Sequence, residues 1–115
     1  MSLISTYEKF THINEEFIEF IDKIVKENFE AFSEEQIKMN LKIALKNYED
    51  LKFESDEIVA ANDEEKNNLN DLKYLIMSAL FLVSDLNHFY EIKEYDRFKM
   101  RAINYINNSR RNKYL

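Results

Sequence analysis

Residues 69–90 read LNDLKYLIMSALFLVSDLNHFY. Leu69, Leu72, Ile76, Ala79, Val83, Leu86 and Tyr90 recur there in steps of three and four, the spacing that lines side chains along one face of an α-helix. Asn62-Asp63 supplies a cap for this helix, and Glu64-Glu65 complements the positive end of its dipole. Between Tyr74 and Val83 the same helix is apolar in nearly every direction, interrupted only by Ser78. A helix apolar all round is buried all round. Either the rest of the chain wraps it closely or its outer face meets another chain, with Leu75, Phe81 and Leu82 as the candidates for self-association or partner docking.

Three further helices extend this pattern. The first spans about Ser5 to Phe32, with Phe10, Ile13, Phe17, Phe20 and Ile24 on one stripe. The second opens at Ser33-Glu34-Glu35-Gln36, a capping box, and carries Ile37, Leu41, Ala44, Tyr48 and Leu51. The last runs from Glu91 or Glu94 to Asn108, with Tyr95, Phe98, Ala102 and Tyr105 in register. No clear boundary separates it from the helix before, so one long helix is the alternative. Phe53 to Asn62 reads as a kink, a break or a short fifth helix.

Composition agrees. The 115 residues include no Gly, Pro, Cys or Trp. Gly and Pro are the usual punctuation of turns and strained backbone. Twelve lysines against four arginines, many Asn and Ile, and little Ala also fit an AT-rich bacterial or phage genome, which accounts for part of the omission. The expectation is a single helical domain over residues 1–115, an all-α antiparallel bundle of four helices, or five if the Phe53–Asn62 segment forms its own.

The missing residues also narrow the chemistry. Phosphate cradles, dinucleotide fingerprints and nucleophile elbows need glycine, and thiolate chemistry needs cysteine. The only histidines are His12 and His88. Asp85-x-x-His88-x-x-Glu91 has metal-like spacing, but a di-iron bundle needs a second such pair and further carboxylates. The Arg-x(4–6)-His spacing of HEPN-type helical ribonucleases is absent. We therefore expect no enzymatic activity, no catalytic residues, no metal and no cofactor. Met1-Ser2-Leu3-Ile4 lacks the basic-then-apolar pattern of a secretory signal. The Tyr74–Val83 run falls far short of the roughly 20 residues of a membrane span. A cytoplasmic protein without membrane contact is expected.

Net charge is −6, unevenly spread: residues 1–90 carry −10 and residues 91–115 carry +4. Glu8, Glu15, Glu19 and Asp22 fall on one line of the first helix, a solvated face or a dock for a basic protein. Arg97, Lys99, Arg101, Arg110, Arg111 and Lys113 lie among Tyr95, Phe98, Tyr105 and Tyr114, a pattern suited to phosphate contact and base stacking. The same aromatics, however, sit on the core stripe, and cations near a helix C-terminus oppose its dipole. The leading expectation is a non-enzymatic protein-interaction module, a small accessory, immunity or inhibitor-type protein with a protein partner of unknown identity or a second copy. Small helical immunity proteins and phage-encoded inhibitors share its size and composition but no motif. A nucleic-acid-binding protein using the basic C-terminal helix is the alternative.

Overall fold

Without glycine or proline as punctuation, the chain ends its helices by other means. A computed structural model describes the backbone of residues 2–113 and the side chains of residues 2–110. It contains α1 (Leu3–Lys26), α2 (Glu34–Asp56), α3 (Asp63–Glu91) and α4 (Tyr95–Lys113), with no strand among the described residues. Ser2 and Ser33 each form a reciprocal capping box, with Ser5 and Gln36 respectively. Asn62 caps α3 by accepting from the Glu65 N–H at 2.8 Å.

The C-terminal ends of α1 and α3 are the informative ones. After α1, the Phe29 N–H donates to the Ile24 carbonyl at 2.9 Å and the Asn28 N–H to the Val25 carbonyl at 3.2 Å. After α3, Glu94 donates to Phe89 at 2.8 Å and Lys93 to Tyr90 at 3.2 Å. Both are Schellman motifs, which call for a left-handed residue just past the helix, usually glycine. Here Asn28 (φ 50°) and Lys93 (φ 61°) fill that role, and Phe29 follows at φ 66°. A non-glycine residue pays on the order of 1–2 kcal/mol for that conformation. Aromatic packing offsets it at Phe29, whose ring centroid lies 4.8 Å from Tyr95 and 5.1 Å from Phe98.

The structure corrects the extent of two helices and decides between the alternatives left open at the two other boundaries. The first helix stops at Lys26 rather than Phe32, because Asn28 and Phe29 turn the chain and bring Phe29 and Phe32 onto the core. The last two helices are separate, broken at Lys93, and α4 continues past Asn108 to Lys113. No fifth helix forms among the described residues: α2 runs through Phe53 to Asp56, and buried Ile58 pins the connection to α3.

Both α1 and α3 pack closely on all three other helices, whereas the backbones of α2 and α4 stay apart and meet only through side chains such as Tyr48 and Tyr105. The helices thus form a compact bundle with α1 and α3 across the shorter diagonal. Its long axis, 47 Å, is little more than the length of the 29-residue α3, about 43 Å at 1.5 Å per residue. The seven seam residues from Leu69 to Tyr90 are all buried. Leu82, expected on the outer face, is 0% exposed and belongs to the core. A helix packed on three sides buries an arc wider than one stripe, and Leu82 falls within it. Tyr74 and Phe81 stay on the remaining exposed arc. No helix among the described residues is long and apolar enough to cross a membrane.

Candidate functional site

A cleft of about 710 Å³ opens among α1, α3 and the second half of α4. Its floor is organised by Asn14, which adjoins the apolar face of α1 made by Phe10 and Phe17. The Asn14 Oδ1 accepts from the Tyr48 hydroxyl at 2.9 Å and from the Tyr105 hydroxyl at 2.5 Å. Burial pushes the Tyr105 hydroxyl up to about 12, and burial raises that of fully buried Tyr48 further still. Both tyrosines therefore stay neutral donors at any physiological pH. With its carbonyl taken twice, Asn14 has only its amide N–H groups left to offer, and these have no partner among the described residues.

The walls mix apolar and polar side chains. Ile18 and Leu75 are half-buried, while Tyr7, Tyr74 and Phe81 are 52%, 72% and 59% exposed. Two arginines from α4 line the cleft, and each is already paired. The Arg101 Nε donates to Asp85 at 3.0 Å, and Arg110 lies 3.8 Å from Asp22. Such a site presents apolar contact beside both hydrogen-bond donors and acceptors, the Asn14 amide and the Glu15 carboxylate among them.

Members of all three candidate sets meet here: Glu15 from the acidic line, Leu75 and Phe81 from the apolar face, Arg101 and Arg110 from the basic element. The others lie elsewhere. Glu8 and Glu19 are exposed on α1 without an ion-pair partner among the described residues, whereas Asp22 is drawn in by Lys26 at 2.8 Å and by Arg110. Arg97 lies 3.7 Å from Glu94, and Lys99 donates to the Asn28 side chain and sits 5.8 Å above the Phe29 ring. The side chains of Arg111 and Lys113, and Tyr114, lie outside the described residues. His12 pairs with Glu16 at 3.0 Å on the exposed side of α1, and His88 is exposed near the end of α3. Sequence reasoning missed Asn14 and Tyr7. A polar residue four positions beyond Phe10, beside an otherwise apolar stripe, was the signal for the first.

A second hollow of about 640 Å³ lies at the two Schellman turns, lined by Asn28, Phe29, Tyr90, Lys93 and Tyr95 among others. It is the outer edge of the aromatic cluster that holds those turns.

Compared with family models, curated proteins and solved structures, the chain matches none.

Proposed function

We propose that this chain is a non-enzymatic protein-binding module, an accessory, immunity or inhibitor-type protein that holds a partner protein in the α1–α3–α4 cleft and acts by occlusion. In this reading the bundle is a single up-and-down domain, as pairings such as Lys9–Glu54 and Arg101–Asp85 suit. One observation carries the proposal: Tyr7, Tyr74 and Phe81, all more than half exposed, stand around one cleft. Single exposed apolar residues are ordinary on any protein surface. Three aromatics around a concave centre, with Leu75 and Ile18 behind them and charges outside, match the apolar core and polar rim of interfaces. The aromatics are also the residue types that dominate binding energy when a partner covers them.

The test is capture of a partner from source cells by the tagged full chain, with three variants in parallel. Phe53→Glu changes an equally exposed aromatic on α2, which does not line the cleft. It should retain a stoichiometric partner that Phe81→Glu and Tyr74→Glu lose. A partner kept by both cleft variants would refute the assignment. A dimer of the chain itself, split by Phe81→Glu, would assign the face to a second copy instead.

A further inference from the structure

We propose that the second half of α4, from Arg101 to Arg110, is a strap that opens from the α1–α3 face while the rest of the bundle stays folded. Its apolar hold is thin. Over those residues Ala102 and Ile106 are the buried apolar side chains and Tyr105 is half-buried, whereas α3 buries Ile76, Ala79, Leu82, Val83 and Leu86 over a similar length. Asn104, Asn107, Asn108 and Ser109 fill much of the remainder, and these residue types favour caps and turns over helix interiors. The cleft of about 710 Å³ also lies against this segment, so the side bearing Tyr105, Asn108 and Ser109 faces a hollow rather than packed protein.

The strap is closed by polar contacts. The Arg101 Nε donates to Asp85 at 3.0 Å, the Tyr105 hydroxyl donates to Asn14 at 2.5 Å, and Arg110 lies 3.8 Å from Asp22. Neither ion pair is buried, and Asp22 is shared with Lys26 at 2.8 Å. Pairs open to water hold weakly and are screened by salt.

The start of α4 is held differently. Phe98 is fully buried, its ring centroid 5.1 Å from Phe29 and 6.2 Å from Tyr90, and Lys99 donates to the Asn28 side chain. The boundary between anchored and releasable helix therefore falls near Met100. Opening there removes one bank of the cleft, uncovers the surface beneath Ala102 and Ile106, and frees Arg101 and Arg110 from their carboxylates. Moving elements are drawn from the least stable part of a fold, where buried apolar contacts are few.

The chain has no cysteine, so one introduced thiol reports its own position. Ala102, Ala79 and Ala44 are all buried, on α4, α3 and α2 respectively, and Ala→Cys adds the same single atom at each. With a disulfide reagent under native conditions, Ala102→Cys should react at least about tenfold faster than the other two, because local opening reaches it and only global unfolding reaches them. Low urea should hardly speed the first and should steeply speed the others, since a partial opening exposes little surface. Added salt should speed Ala102→Cys by about threefold, and an Asp22→Ala, Asp85→Ala pair should do the same at low salt. Urea unfolding of each variant corrects the rates for any change in global stability. Hydrogen exchange of the unsubstituted chain gives a second reading: amides of residues 101–110 should exchange ahead of those in the middle of α2 and α3. Equal labelling of the three thiols with one urea dependence, or exchange of residues 101–110 only through global unfolding, would overturn the strap. Fast labelling of Ala102→Cys that ignores both salt and the carboxylate pair would refute the ion-pair latches.

Discussion

Replacing Asn14 by Leu removes the shared acceptor of two tyrosines while roughly conserving side-chain volume. The Tyr48 hydroxyl is fully buried and would lose its Asn14 acceptor, keeping only the neighbouring Tyr105 hydroxyl, at a cost of about 1–2 kcal/mol. The Tyr105 hydroxyl opens on the cleft, where water can replace the lost acceptor, so its share is about 0.5 kcal/mol. The added apolar surface returns some of this, leaving a net loss of about 1.5 kcal/mol. For a chain of this length that lowers Tm by about 6 °C. Tyr48→Phe alone removes one donor and leaves Asn14 bound to Tyr105, so it should cost only about 1 kcal/mol. In the double variant no buried hydroxyl is stranded, and the loss should fall clearly below the sum of the two single losses. Urea unfolding followed by circular dichroism measures all three. A loss below about 0.5 kcal/mol for Asn14→Leu, or simple additivity in the double variant, would refute the shared-acceptor account.

Neighbouring residues on α3 should behave oppositely: Leu82→Ala should cost about 3 kcal/mol by opening a cavity, and Phe81→Glu no more than about 0.5 kcal/mol, both read by the same urea titration. Lys93→Gly should stabilise the protein by about 0.5–1 kcal/mol, because the left-handed backbone at that position favours glycine, with part of the gain offset by the greater freedom of the unfolded chain. In an ultraviolet tyrosine titration, Tyr105 should ionise near 12 and Tyr48 only above it. A hydroxyl whose folded value is raised contributes stability that is complete below the ordinary value of 10.0 and is lost as pH rises through the folded value, so Tyr48→Phe should make the alkaline fall in stability shallower.

The helices were legible where one residue's chemistry or one period settles the matter. The seam from Leu69 to Tyr90 holds because every position in it obeys one spacing, and Ser33 and Asn62 announce their caps through side chains that bond locally. The C-terminal ends were not legible, because their usual marker is glycine and this chain has none. Nothing in Phe29 or Lys93 signals a left-handed backbone; at Phe29, tertiary contact with Tyr95 and Phe98 holds it. Leu82 went astray for a related reason, since the width of a buried arc depends on how many helices surround α3. The contents of the cleft were partly legible as separate sets, but their convergence was not. The pairing of Arg110 with Asp22, which quiets part of the basic element, joins opposite ends of the chain.

Hydrogen exchange of the full chain with and without its captured partner tests the central claim most directly. If the cleft is the docking site, bound partner should slow exchange in α1 around residues 7–18, in α3 around 74–81 and in the second half of α4, the three banks of the cleft. The outer face of α2, where Met39 and Ile43 are also exposed, should exchange as it does in the free protein. Protection centred on α2, with the three banks unchanged, would contradict the account.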